Sequence, residues 1–259
     1  KGPRVMSNSA ARIVSAETSS HGLVDISSLV LLAILLAAGR SERMGDRSIS
    51  KQLIEIDGIP VVARSALAFE KSRHIDEIII VAARQEIGYY QGFKKKYALS
   101  KLKVVTVGGS SRAESARRGF QKISKNCSFV AFHDAARCLI TTEDIDKTVL
   151  EAYRTGAAIA AKRMTDTVKK AYGEGWIEQT IDRSSLWLAQ TPQVFKKSVY
   201  EVSAAYADKS DVPFTDDAML AELAGFRVKL VECEYENLKI TTKQDLYLAQ
   251  ATIQRRKKE

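Results

Sequence analysis

The residues best suited to chemistry lie in one glycine-containing segment, LAAGRSERMGDRSISKQ, residues 36–52. Its small residues Ala37, Ala38 and Gly39 let the backbone approach a ligand closely, so that amide groups can cradle phosphates. Arg40, Arg43, Arg47 and Lys51 follow within twelve residues. Such clustered cations suit a triphosphate, whose charge must be neutralised before attack at the α-phosphorus. The segment is neither a Walker A loop, lacking the Gly-Lys-Ser/Thr ending, nor a GxGxxG fingerprint. Taken alone, it also reads as a solvated basic loop.

Three further segments add polar groups. Gly108-Gly109-Ser110-Ser111-Arg112 reads either as a second close approach of backbone to ligand or as a tight turn into a helix. His133-Asp134-Ala135-Ala136-Arg137 offers a carboxylate for a metal or ribose hydroxyls, with an arginine nearby for a phosphate. His133 itself reads as structural, because phosphoryl transfer depends mostly on positioning and charge. Asn237-Leu238-Lys239-Ile240-Thr241-Thr242 supplies another lysine.

These segments need a scaffold that brings them together. Apolar, strand-like runs occupy Val30–Leu36, Glu77–Ala82, Lys103–Val107, Ser128–Phe132, Ala157–Ala161 and Arg227–Val231. Helix-like stretches cover Pro60–Lys71, Gln85–Tyr97, Arg112–Ile123, Thr142–Arg154, Val199–Asp208 and Asp216–Ala224. A last helix runs from about Thr242 to the tail, with Leu246, Leu248, Ala249 and Ile253 on or near one face. This alternation predicts an α/β fold, a doubly wound and mostly parallel sheet with helices on both faces. The chemistry-bearing segments each follow a strand or precede the last helix, and ligands of such sheets bind at the strands' carboxyl ends. Residues 163–194 break the rhythm. Their Gly173-Glu174-Gly175 turn between β-prone segments predicts a projecting β-hairpin arm carrying Trp176 and Trp187.

Composition sets outer bounds. A chain of 259 residues with 45% hydrophobic and 27% charged residues suits one soluble α/β domain, expected over residues 29–259. Residues 1–28 are Ser- and Ala-rich without periodicity, and are expected to be a disordered extension. Cys127, Cys138 and Cys233 are odd in number and in no metal-ligand pattern, which fits a reducing compartment. Of the net charge of +9, residues 1–30 carry +1 and the tail from residue 255 carries +3, and the +5 left on residues 31–254 suits polyphosphate ligands. No stripe of basic and aromatic residues points to nucleic acid, and the basic tail from Arg255 to Lys258 reads as a solvated helix end. The apolar run Leu29–Ala38 is too short to span a bilayer and reads as a buried first strand.

Together the segments resemble the 2-C-methyl-D-erythritol 4-phosphate cytidylyltransferase family of the non-mevalonate isoprenoid pathway. The matching pieces are LAAGRSERMG with Lys51-Gln52, GGSSRAES, HDAAR, DTVK, TIDRSSLWLAQTPQVF, TDDA and NLKITTKQDL, in order across residues 34–251. The resemblance implies a nucleotide-diphospho-sugar transferase-like fold and transfer of CMP from CTP to a sugar-alcohol phosphate. By the same resemblance, Arg43 and Lys51 would be catalytic. Ala37, Ala38, Gly39, Gly109, Ser115, Asp134 and Ala135 would bind the nucleotide. Arg137, Thr167, Arg183, Thr215 and Lys239 would hold the acceptor. Mg2+ would be carried mainly by the CTP phosphates with Asp134 nearby. The arm would reach across a homodimer, placing Thr167 and Arg183 in the neighbouring subunit's pocket. The compartment implied is the cytoplasm, or a plastid-type organelle if residues 1–28 belong to a transit peptide. Two other functions fit parts of this pattern: a ribitol 5-phosphate cytidylyltransferase, and a non-catalytic basic binding module.

Overall fold

A computed structural model describes residues 28–39, 50–207, 214–233 and 236–259. Residues 1–27, which hold nearly all of the expected extension, lie outside the described residues, as do Arg40, Arg43 and Arg47.

The first apolar run forms β1, Leu31–Leu36, and all six of its residues are buried. A 3-10 turn at Lys51–Leu53 leads into a small hairpin of β2, Glu55–Ile56, and β3, Ile59–Pro60. Asp57 and Gly58 both have positive φ at its tip, as a two-residue turn of this hand requires. Helix α1, Val61–Lys71, then returns to β4, Glu77–Ala82. The stretch expected as one helix from Gln85 to Tyr97 divides at Gly92 into α2, Ile87–Gln91, and α3, Phe93–Lys96. Next come β5, Leu102–Val107, and α4, Arg112–Phe120, followed by β6, Phe129–Asp134, and α5, Thr142–Thr155. The chain continues through β7, Ala157–Arg163, then β8, Val168–Tyr172, β9, Trp176–Ile181, and β10, Trp187–Lys196. It ends with α6, Lys197–Ala207, α7, Asp217–Leu223, β11, Lys229–Glu232, and α8, Lys243–Arg256.

Seven strands form one sheet in the order β11-β7-β10-β6-β1-β4-β5. Six run parallel to one another, and β10 alone is antiparallel to its neighbours β6 and β7. The α/β, mostly parallel expectation therefore holds. The arm is smaller than residues 163–194. It consists of β8 and β9, paired only with each other, whereas β10 is a sheet strand whose residues Gln190–Phe195 are buried. Trp176 projects with the hairpin. Trp187 sits in the sheet, where the Arg163 guanidinium lies 4.3 Å from its ring centroid.

The unbroken apolar run of β1 has a direct cause. Leu31, Ala33 and Leu35 face a core shared with α1, α3 and α5 through Phe69, Phe93 and Ile145. Leu32, Ile34 and Leu36 face an opposite core shared with α4, α6 and α7 through Ala116, Tyr200 and Leu220. With helices on both faces, neither alternate set of side chains meets water. A third cluster seats α8 through Ala249 and Ile253 against Val61 and Leu139. Leu248, expected near that face, points outward.

Register matters most for function. Leu36 pairs with Val81 and with Asp134, and Ala82 pairs with Val107. The carboxyl ends of β1, β4, β5 and β6 are thus level along one edge of the sheet.

Candidate active site

Two loops leave that edge and meet. Ala37 is fixed by its amide, which donates to the Val81 carbonyl at 2.8 Å, and Gly39 receives the Gln52 amide nitrogen at 3.2 Å. The Gly108 amide donates to the Ala82 carbonyl, and the Gly109 amide donates to Ser115 Oγ at 3.0 Å. Neither glycine has a positive φ, so a tight turn is not what requires them. Space is. A β-carbon on Gly108 would lie 2.3 Å from Ala38 Cβ and 2.9 Å from Ser115 Oγ, and one on Gly109 would collide with Glu114. Ser111 then caps α4, its hydroxyl accepting from the Glu114 amide.

Between the loops lies a cavity of about 330 Å³, a size suited to a small ligand. Its lining includes Ala38, Gly39, Gly109, Ser115, Asp134 and Lys239, all expected from the sequence. Gln52, Arg112 and Ala136 also line it, and were not singled out. Ala135 is turned away instead. Its side chain is in the core, its amide donates to the Leu36 carbonyl, and its carbonyl accepts from Ser65 Oγ. Ala136 faces the cavity in its place.

Asp134 is the electrostatic centre. Arg112 Nε donates to its Oδ1 at 3.1 Å, Lys239 Nζ donates to its Oδ2 at 2.7 Å, and Arg137 Nε stands 4.0 Å from Oδ2. Burial works against the charge, but the Arg112, Lys239 and Arg137 cations overcome it and hold the carboxyl well below the usual range. Asp134 is therefore an anion at every physiological pH. Arg112 makes a second ion pair, donating from Nη1 to Asp217 Oδ2 at 2.8 Å. Burial opposes its charge too, and the two carboxylates more than compensate. Arg137 is lowered by burial, with Asp134 opposing the shift, and it anchors the Lys239 segment by donating from Nη1 to the Asn237 carbonyl. Asn237 in turn donates to Gln190 Oε1 and to the Thr191 carbonyl, each at 3.0 Å.

His133 is structural, as read from the sequence. It is fully buried against Phe69, with Nδ1 3.0 Å from Thr191 Oγ1 and Nε2 3.3 Å from the Arg137 carbonyl. A carbonyl can only accept, so Nε2 carries the proton and Nδ1 accepts from Thr191. Burial depresses its pKa to about 3, which keeps the ring neutral.

The remaining expected residues are not gathered at the cavity wall. Lys51 opens the 3-10 turn, and its side chain, like Arg43, lies outside what is described. Thr167 and Arg183 are exposed at the base of the hairpin, where Arg183 donates to the Thr165 carbonyl. Thr215 is exposed just before α7. Among the described residues, no group of three or more His, Cys, Asp or Glu side chains is placed to hold a metal ion. Nor is any described helix long and apolar enough to cross a membrane.

Small residues, free space and cations around one carboxylate, set at the carboxyl edge of a parallel sheet, define an α/β enzyme of the nucleotide-binding, phosphoryl-transfer class. Residues 31–255 match the sequence profile of IspD, 2-C-methyl-D-erythritol 4-phosphate cytidylyltransferase. The proteins of that name from Alkaliphilus metalliredigens and Clostridium acetobutylicum are 40% and 39% identical to the chain. The first match covers 86% of this chain and 93% of the relative, the second 86% and 97%. Among solved structures, the 4-diphosphocytidyl-2C-methyl-D-erythritol synthase of Anaerococcus prevotii superposes with a TM-score of 0.78 at 28% identity, covering 88% of this chain and 99% of that one. The Thermus thermophilus cytidylyltransferase superposes with a TM-score of 0.69 at 26% identity, covering 86% and 98%. The chain belongs to the 2-C-methyl-D-erythritol 4-phosphate cytidylyltransferase family, and it is a cytidylyltransferase of non-mevalonate isoprenoid biosynthesis.

Proposed function

We propose that the cavity beside Asp134 is where CMP is transferred from CTP to 2-C-methyl-D-erythritol 4-phosphate, giving 4-diphosphocytidyl-2-C-methyl-D-erythritol and pyrophosphate. An oxygen of the acceptor's phosphate forms a bond to the α-phosphorus of CTP, and the bond from that phosphorus to the β-phosphate bridge breaks. A phosphate monoester is already largely ionised near neutral pH, so no protein nucleophile or strong base is needed. The observation that carries this reading is Asp134 itself, an enforced anion within reach of three cations at the junction of two close-approach loops.

Roles divide along the cavity. Ala38, Gly39, Gly109 and Ser115 wall the cytidine, with Ala37 buried in the core behind them, and Ala136 takes the contact that the resemblance assigned to Ala135. Asp134 meets the ribose and the phosphates. Arg43 and Lys51 bear on the triphosphate as negative charge moves to the departing pyrophosphate. Arg137 and Lys239 hold the acceptor, joined by Thr215. A Mg2+ ion fits as a companion of CTP, because such ions bind through one or two carboxylates plus substrate phosphates. Asp134 is a hard oxygen donor on the cavity wall and would be its protein contact. With the ion bound, the phosphates' charge is partly neutralised.

Thr167 and Arg183 are exposed and stand apart from this chain's own cavity wall, so we place them at a second subunit's cavity in a homodimer. The exposed Tyr172, Trp176 and Ile177 of the arm support that arrangement. Three buried free thiols suit a reducing compartment, the cytoplasm or a plastid-type organelle. The test is turnover with CTP and Mg2+ and each of two acceptors. Methylerythritol phosphate should be used far faster than ribitol 5-phosphate, and the opposite preference would reassign the substrate.

A further inference from the structure

Arg112 lines the cavity, yet its assigned hydrogen bonds go to two carboxylates of the protein, Asp134 and Asp217. Asp217 is 1% exposed and begins α7. That helix is already secured without it. Asp216 caps the helix, accepting from the Met219 amide. Gln193 donates to Asp216 at 2.8 Å and accepts from the Ala218 amide at 3.0 Å. Meanwhile Arg112 Nη2 is buried with no hydrogen-bond partner among the described residues. An unpaired buried guanidinium donor is destabilising, and a buried ion pair is often no better for stability than apolar residues of the same volume. Stability is thus a poor reason for the Arg112–Asp217 pair, whereas geometry at Asp134 is a good one.

The two oxygens of Asp134 have different partners. Oδ2 meets Lys239, whose side chain is 38% exposed and free to follow a ligand, with Arg137 Nε farther off at 4.0 Å, while Oδ1 meets an arginine pinned from behind. We infer that Arg112, anchored by Asp217, is a positioning residue for Asp134. It fixes Oδ1 so that Oδ2 stays aimed at the nucleotide when Lys239 turns to another partner. The inference rests on the CTP reading of this cavity. A lysine could not replace it, because only the planar fork reaches both carboxylates at once.

Calorimetric titration of the full chain with CTP and Mg2+, without acceptor, tests this. Arg112→Lys should weaken CTP binding about tenfold or more, and Asp217→Asn about fivefold, in proteins that remain folded by circular dichroism. The double variant should bind within about twofold of Arg112→Lys alone, because residues acting as one unit do not add. Folded variants with lower melting temperatures but wild-type CTP affinity would mean a purely structural role and overturn the inference. So would losses that multiply in the double variant. If Arg112→Lys does not fold, Asp217→Asn decides alone, since it keeps an acceptor for Arg112. A wild-type protein that binds no CTP would overturn the function and this inference together. Wild-type binding with unchanged variants would overturn only the inference.

Discussion

Lys239 Nζ donates to Asp134 Oδ2 at 2.7 Å, joining residues 105 positions apart across the mouth of the cavity. The contact holds the lysine of the last loop against the end of β6, and the lysine is exposed enough to move. Lys239→Met should therefore raise the acceptor KM by about tenfold or more, the scale of one lost charged hydrogen bond. Stability should fall as well, by about 1–3 kcal/mol, because the Asp134 carboxylate is only 11% exposed and would lose one of the three cations that offset its burial. Steady-state kinetics and thermal melting check both halves.

Gly108 is required by space. Adding one methyl group would press on Ala38 and Ser115, two residues of the cavity wall. Gly108→Ala should cost about 1–3 kcal/mol of stability, the usual range for overpacking. It should also weaken CTP binding, and denaturant titration with calorimetry would show either effect missing.

His133 gives a pH dependence with a defined sign. Its folded pKa, about 3, lies below the ordinary histidine value near 6.5, so between these limits the unfolded chain binds the extra proton. Stability should fall as pH drops through that window and level off below it. Asp134 adds its own loss only below the ordinary carboxylate range near pH 4, where the unfolded chain begins to protonate. Urea unfolding at pH 4.5 and 7.5 should show the difference, and His133→Gln should reduce it. An equal slope in the variant would remove His133 as its source.

Trp176 is 69% exposed on a hairpin most of whose strand residues also face solvent. If the arm is the dimer contact, Trp176→Glu should shift the protein toward monomer in sedimentation velocity at micromolar concentration. It should also lower acceptor turnover, because Thr167 and Arg183 flank the base of the same hairpin. A dimer of unchanged stability would place the subunit contact elsewhere.

Much of this architecture was legible from residue patterns. The β1 and β4 runs follow from their unbroken apolar character, because burial on both faces leaves little room for another reading, whereas β5, half-buried at the edge of the sheet, is marked by its β-branched residues. The close-approach loops were legible as small residues after strands. Strand β10 was not. Its residues follow a turn-rich arm and carry polar Gln190, Thr191 and Gln193, whose partners lie far away in sequence. The β2–β3 hairpin has only the Asp57-Gly58 pair as its signal in the sequence, because its strands are two residues each. Arg112 and Asp217 were visible as letters of GGSSR and TDDA, but 105 residues separate them and only the fold shows that they touch. The basic tail is likewise more than a solvated end, since Arg255 and Arg256 pair with Glu236 and Arg256 donates to the Leu139 carbonyl.

The central claim is transfer of the α-phosphorus of CTP, and phosphorus NMR observes it directly. The protein would be incubated with CTP, Mg2+ and 2-C-methyl-D-erythritol 4-phosphate, and the phosphorus signals followed over time. The account predicts that the CTP α-phosphorus moves into a diphosphate diester while the β and γ atoms leave together as pyrophosphate. Release of inorganic phosphate with CDP, or CTP left intact by folded protein, would contradict it.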